Sequence, residues 1–503
     1  MSTSLVEDKD VLVGTPQPTQ NPGPLPGMDA KAEKQALESK ATVLEPHSSE
    51  ASIHDGAVFE ADVEREKHEV FKKIEGGVDF RTVTWQRATL IFLKIQISTG
   101  ILGIPTALYS LGAVGGGFSI VGWQLANSWT AILMGEFRNR HPECHTIVDM
   151  CGKLWGPIGK ELVGIMFIIA YIFCTGSGIL GTSIAFNALS EHGACSVLFG
   201  FVATLMVIIV SCIRTWGRMT WPLTAGFVSV MSGVLVVVIG VTLRDRPAAA
   251  PQTGPYELGW SAIAYPTFAA GMTASATIFI SSAGGPGFLP VIAEMKNPKD
   301  YKRAVVICGF VVGAVYLSFS EVIYRWCGAW VASPSLGSAG PLLKKVAFGL
   351  ALPSLIISAA LFNHTGAKYV FVRILRDSPH LQANTVIHWG TWISINIGLG
   401  VLSWVLAEAI PIFNYLIALA GSICFAPMSL IFPPLFWMYD FGHYRSGTPK
   451  QVAFYALHVL IALVGGLLLI GGTYGTALAI KDAYATGAIG SAFSCADNSN
   501  TVG

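Results

Sequence analysis

The chain has 503 residues, of which 52% are apolar and only 13% charged, against about 25% charged in soluble domains. Residues 1–83 carry 9 Lys/Arg and 16 Asp/Glu, whereas the 420 that follow carry 23 and 15, too few charges to keep so apolar a body soluble. The composition excludes a water-soluble fold, and the lack of any basic run with interleaved aromatics excludes nucleic acid as a partner.

Residues 1–83 are rich in Pro, Glu, Lys and Ser and poor in aromatics, as in Pro22-Gly23-Pro24-Leu25-Pro26. Such a segment cannot bury enough apolar surface to offset its ordering entropy, so it is expected to be a disordered cytosolic tail. A short helix near Phe59 to Ile74 is compatible with the pattern. The tail lysines Lys31, Lys34, Lys40, Lys67, Lys72 and Lys73 suggest ubiquitin-type modification.

From Thr84 onward, apolar runs of about 20 residues recur between short polar breaks, the length that crosses roughly 30 Å of hydrocarbon. Eleven are expected, at about 85–110, 114–137, 159–189, 196–213, 220–243, 262–293, 303–326, 346–374, 385–407, 411–437 and 452–475. Their spacing is helical rather than the ten-residue alternation of a barrel, which predicts an all-α polytopic membrane protein. Lys and Arg crowd the loops on one side, 15 against 6, which places the N-terminus inside. An odd number of spans leaves residues 481–503 as a short extracytoplasmic tail. The nine cysteines are scattered and suggest no disulfide framework. His141, Cys144, His145 and Cys151 cluster, but at no zinc spacing, so no metal is expected there.

Two spans are interrupted. The first reads Ser98-Thr99-Gly100-Ile101-Leu102-Gly103-Ile104-Pro105, and the sixth reads Ser281-Ser282-Ala283-Gly284-Gly285-Pro286-Gly287. Gly and Pro lower the cost of leaving helical geometry, and hydroxyls can re-satisfy freed backbone groups. Broken helices at matching places in two blocks of five spans point to a secondary transporter with inverted repeats and a site at mid-membrane. Half-helix ends there would offer N–H groups to an anion and C=O groups to a cation.

Other patterns carry less. Gly176-Ser177-Gly178-Ile179-Leu180-Gly181 imitates a dinucleotide fingerprint, but it lies inside an apolar helix and reads as close packing. No nucleotide loop, nucleophile elbow or paired His/Asp constellation occurs, so neither a cofactor nor an enzyme is expected. Lys94, Lys368 and Arg373 are placed to snorkel toward the inner surface. Glu321 and Arg325 are spaced as an i,i+4 pair. Glu294, at the end of span 6, and His364, in span 8, are candidates for gating or proton coupling.

The first interrupted span, Ser98-Thr99-Gly100-Ile101-Leu102-Gly103-Ile104-Pro105, together with Glu294-Met295-Lys296-Asn297-Pro298-Lys299-Asp300, resembles the amino acid/auxin permease family, in particular its fungal neutral amino-acid permeases; the sixth departs from the family's pattern in its extra glycines, Gly284, Gly285 and Gly287. The resemblance covers about 84–475. It implies two inverted five-helix repeats plus one extra helix, in a transporter domain set here at 84–480. It implies import of neutral amino acids, coupled to protons or, in some relatives, to sodium. It also implies that the span 1 break binds the substrate carboxylate and the span 6 break its amine. On that basis Ser98, Thr99, Gly100 and Gly103 are expected to serve the carboxylate, and Ile280, Ser281 and Ser282 the amine. Tyr171 and Phe279 are candidates for the side-chain pocket, and Asn363 for a polar partner. The expectation is a proton symporter for aliphatic or aromatic amino acids in a plasma membrane. The rivals are a vacuolar or specialised-metabolite transporter of the same kind, and an amino-acid sensor that does not transport.

Overall fold

The structure, a computed structural model, describes residues 80–410, 412–486 and 491–499. The expected tail therefore lies outside the described residues up to residue 79, and its modification sites with it. Thirteen α-helices follow one another within the described residues: α1 (Trp85–Gln96), α2 (Ile104–Arg140), α3 (Ile147–Ser190), α4 (Ser196–Ser211), α5 (Trp216–Thr242), α6 (Phe268–Ser282), α7 (Gly285–Ala293), α8 (Tyr301–Cys327), α9 (Pro341–Leu375), α10 (Val386–Ala409), α11 (Phe413–Ala420), α12 (Phe432–Asp440) and α13 (Pro449–Ala485).

Among the described residues, eight helical segments are long and apolar enough to cross a membrane, and a ninth is the bent pair Phe413–Phe425 with Pro427–Asp440. The two remaining expected spans escape a length test for physical reasons. Helix α4 is apolar but only 16 residues long, about 24 Å at 1.5 Å per residue. Span 1 is α1, a short turn and the start of α2, whose helical hydrogen bonding runs on into span 2. The two spans part at Gly112, whose φ of 74° turns the chain. A β-carbon there would lie 2.7 Å from Ala264 N, so the bend also requires the absence of a side chain. Span 6 is α6 with α7, and span 10 is α11 and α12 joined through π-helical turns at Gly421–Phe425 and Pro427–Ile431.

The packing carries a hidden symmetry. Spans 3 and 8 pack together, as do 2 and 7, and 4 and 9. Spans 1 and 5 touch, and so do 6 and 10; 1 touches 7, as 6 touches 2; 5 touches 8, as 10 touches 3. Spans 3 and 9 pair as 8 and 4 do. Moving five places along the chain, with span 10 followed by span 1, thus carries each of these pairs onto itself or onto another of them. Five is odd, so the second set of five runs through the membrane in the opposite sense, which makes the repeats inverted. Span 11 (α13) lies outside the scheme and packs on spans 6 and 10.

Several expectations are corrected. Cys195 and Cys495 form a disulfide, joining the α3–α4 turn to the C-terminal segment across 300 residues. The segment is further held where Ser196 Oγ donates to Ala496 O at 2.5 Å and Lys344 Nζ donates to Ser499 O at 2.6 Å. Lys94 and Lys368 do not snorkel: both are buried, at 0% and 1% exposure. Arg373 does reach the surface, where it grips Glu161. Glu321 and Arg325 form no ion pair; the Arg325 guanidinium lies over Trp260 and Trp326 instead. In the loop 141–146, burial pushes the His145 imidazole down to about 3 and the Cys144 thiol up to about 12. No group of three metal-binding side chains occurs among the described residues. Gly178 packs against Ala359 of α9, where a β-carbon would come within 2.7 Å, so the glycine run in α3 marks a close helix contact.

Candidate functional site

Helix α1 ends because Ile97 leaves helical geometry, at φ −75° and ψ 71°. A single 3-10 turn over Gly100–Leu102 follows, and α2 begins at Ile104 with Pro105 in its first turn, where a missing N–H costs nothing. The N–H groups of Thr99, Gly100 and Ile101 have no partner among the described residues. The Ser98 hydroxyl is also buried without a partner. Four donors without partners thus follow one another in the chain where the second half-helix of span 1 begins, its positive end.

The break in span 6 is shorter. Helix α6 ends at Ser282, and Ala283 and Gly284 turn the chain into α7, which begins Gly285-Pro286. The two breaks lie against each other: a β-carbon on Gly100 would sit 2.7 Å from Ser281 Oγ and 3.0 Å from Ser281 Cα. Gly100 has no positive φ, so close approach, not backbone conformation, requires glycine there. Two side chains tie the breaks together. Gln96 Nε2 donates to Ser282 O at 2.9 Å. The Tyr316 hydroxyl, from α8, lies 2.6 Å from Gln96 O and 2.9 Å from Ser281 O.

Around the breaks is a cavity with about 530 Å³ of space between atoms, of which about 40 Å³ admits the centre of a water molecule. About 10–15 Å³ of the latter holds one water. Its walls are Ile95 to Gly100 without Ile97, Ile280 and Ser281, Tyr171, Phe173 and Cys174 of α3, Phe362 of α9, and Ile417, Ala420 and Phe425 of span 10, with Ser177, Ala283 and Gly284. No ionisable carboxylate, ammonium, guanidinium or imidazole lines it.

Ser98, Thr99, Gly100, Tyr171, Ile280 and Ser281 are brought together on this cavity. Gly103, Phe279, Ser282 and Asn363 do not line it. Gly103 faces Asn414 and Thr277. Phe279 and Ser282 share one face of α6, three residues apart, and turn toward α2. There Phe279 meets Trp123 edge-on at 5.3 Å, and Ser282 Oγ accepts from Asn127 Nδ2 at 2.8 Å. Phe362 faces the cavity, so Asn363, about 100° further round the helix, points away. Its amide donates to Ser211 Oγ and Asn396 Oδ1. His364 is packed between Trp216 and Trp392, with Nδ1 at 3.2 Å from Ser211 O.

Glu294 lies away from the cavity at the end of α7. Its carboxylate accepts from Lys368 Nζ at 2.6 Å and from Trp216 N at 3.0 Å, and the pair is completely buried. Val83, before α1, bonds Glu294 O through its N–H and accepts from Lys296 N, which ties the entry of span 1 to the exit of span 6. The sequence reading missed Gln96, Phe362 and the span 10 wall. Pro427, five residues after Gly421-Ser422 in an apolar run, was the available signal for span 10, since it disturbs the helical ladder much as the prolines of spans 1 and 6 do.

Residues 81–478 match the family described as transmembrane amino acid transporter protein. A transmembrane transporter of Gibberella moniliformis is 52% identical over 90% of this chain and 95% of its own. An N amino acid transport system protein of Neurospora crassa is 28% identical over 93% of this chain and 99% of its own. Among solved structures, a Na+-coupled sialic acid symporter in a substrate-bound, outward-open state is 15% identical, covering 80% of this chain and 91% of that one, with a TM-score of 0.49. The chain belongs to the transmembrane amino acid transporter family and is a multi-pass membrane transporter, not an enzyme.

Proposed function

We propose that this transporter is secondary active and imports neutral amino acids, aliphatic or aromatic, by proton symport across the plasma membrane. One observation carries the reading. A buried, unpartnered Ser98 hydroxyl stands beside the unpaired N–H groups of Thr99 and Gly100 on a cavity with no ionised wall.

An α-carboxylate is the group that such donors suit, and the half-helix dipole favours its charge. The amine then faces the end of α6 near Ile280 and Ser281, where helix carbonyls carry the negative end of a dipole. The substrate side chain is left against Tyr171, Phe362 and Phe425. A charged side chain would be buried there without a counter-charge, a cost of several kcal/mol that excludes basic and acidic substrates. In this conformation the cavity takes about three waters, so a large side chain requires the aromatic wall to open.

The face bearing the Cys195–Cys495 bond is read as the outer one. Disulfides persist on oxidising sides of membranes, and the six outer Lys/Arg against fifteen inner ones agree. The test is uptake of labelled leucine into proteoliposomes holding the full chain, without sodium and with an inward pH gradient. Unlabelled neutral amino acids are expected to compete, and lysine or aspartate not. Equal competition by the charged amino acids, or no uptake, overturns the reading.

A further inference from the structure

We infer that Lys94 is the proton carrier of the cycle, its ammonium filling a cation site built between the span 1 break and span 8. Lys94 is fully buried. Its Nζ lies 2.6 Å from Ser354 Oγ, 2.7 Å from Ser358 Oγ and 3.5 Å from Ile97 O. The serines lie one turn apart on α9, and Ile97 is the residue at which α1 ends, so its carbonyl belongs to the negative end of a half-helix. Gly226 of α5 leaves room for the side chain, since a β-carbon there would come within 3.1 Å of Lys94 Cε.

Lys368 shows what a buried structural lysine looks like in this chain: it is paired with Glu294. Lys94 has three neutral oxygens and, among the described residues, no carboxylate. The ionisable groups on the elements packed around α1 are engaged elsewhere. Tyr316 and Cys308 of α8 are held by Gln96, His364 by Ser211, and Lys368 by Glu294; Arg218, near the start of α5, is the charged residue of that helix.

A buried ammonium without a counter-ion holds its proton according to whatever charge arrives beside it. The inference rests on the proposed reading at this point, because the arriving charge is the substrate carboxylate at Ser98 to Gly100, the residues that follow Ile97. Bound carboxylate favours the ammonium, and by linkage the ammonium favours the carboxylate to the same degree. The site therefore fills with both and empties of both. The neutral amine takes one proton from outer water as substrate binds, and the ammonium returns it to inner water as substrate leaves. The ammonium also takes the three oxygens that an alkali cation would need, so no sodium is required.

The full chain in proteoliposomes provides the test, with leucine as probe. Wild-type affinity is expected to fall about tenfold per pH unit above its midpoint, and a two-unit inward gradient to drive up to about 100-fold accumulation, as one linked proton requires. Lys94→Met should bind leucine independently of pH and accumulate it about onefold, while still exchanging internal for external leucine. Lys94→Arg, which keeps its charge at every pH, should likewise lose the pH dependence. Lys94→Met that retains the tenfold slope, or accumulates like wild type, overturns the inference. If Lys94→Met is not monodisperse, Ser354→Ala with Ser358→Ala replaces it: a shift of the affinity midpoint by about half a pH unit or more supports the inference, and an unmoved midpoint refutes it. Wild type that binds leucine with no pH dependence refutes the lysine alone. Wild type that does not bind leucine refutes the functional reading beneath it.

Discussion

The two breaks occupy equivalent places in the inverted repeats, yet they are built differently. In span 1 the chain leaves the helix from Ile97 to Gly103, with three backbone donors and a hydroxyl lacking partners. In span 6 it leaves for only Ala283 and Gly284, and the neighbouring polar groups are satisfied. Ala283 N–H reaches Ile280 O, Gly284 N–H reaches Ser282 O, and Ser282 Oγ meets Asn127. Symmetry fixed where the breaks fall, while the residues in them divided the labour. One break keeps its hydrogen-bonding capacity open, and the other spends its own on holding shape.

The largest effect is expected where the breaks touch. Gly100→Val puts a branched side chain into the backbone of Ser281, 3.0 Å away at its Cα. Uptake per molecule at the surface should fall at least about 100-fold, read by surface biotinylation alongside transport. The counterpart glycine in span 6 meets only movable atoms: Gly284 faces the Phe288 ring at 2.9 Å and Gln96 Cγ at 3.0 Å. Gly284→Ala should therefore be milder than Gly100→Ala. The reverse order would mean that span 6, not span 1, sets the contact.

The next effect concerns how each broken span is anchored at the end where Val83 meets Glu294. Span 6 is fixed there by the buried Glu294–Lys368 pair, span 1 by the backbone pairing of Val83. Glu294→Gln leaves a buried ammonium short of its counter-charge and should cost about 3–5 kcal/mol, seen as lost thermal stability in detergent. Lys368→Met added to Glu294→Gln should restore most of it. No recovery in the double variant would show that Glu294 acts chiefly through Trp216 N.

Much of this was legible in the sequence because the membrane imposes length. Runs of about 20 apolar residues announce spans, and Gly/Pro clusters inside them announce breaks. Which residue of a break faces the cavity was not legible. Spans 6 and 8 are apolar around most of their circumference, so nothing in the pattern separates Ile280 from Phe279, or Phe362 from Asn363, although one residue turns the side chain by about 100°. Long-range pairs were equally hidden. Lys94 finds Ser354 260 residues away, and Cys195 finds Cys495 across 300. The expectation that Lys94 snorkels failed because two hydroxyls and the end of its own helix offer the ammonium oxygens without a journey to water.

The smallest expected effects give the sharpest contrast, because a serine flanks each break. Ser98 lines the cavity with its hydroxyl unpartnered; Ser282 lies outside it, donating to Phe279 O at 3.0 Å and accepting from Asn127. Ser98→Ala removes a buried polar atom that no protein group satisfies, so the substrate-free protein should lose no stability and gain up to about 1 kcal/mol. Leucine affinity should nevertheless fall by about tenfold or more, the worth of one hydrogen bond to a charged group. Ser282→Ala should do the opposite, lowering thermal stability by about 1 kcal/mol because Asn127 loses a partner, with leucine affinity within about twofold of wild type. Thermal unfolding and leucine titration on the same two preparations read both quantities. If the two variants lose affinity equally, the open donors of span 1 are not the substrate's anchor, and the division of labour between the breaks is wrong.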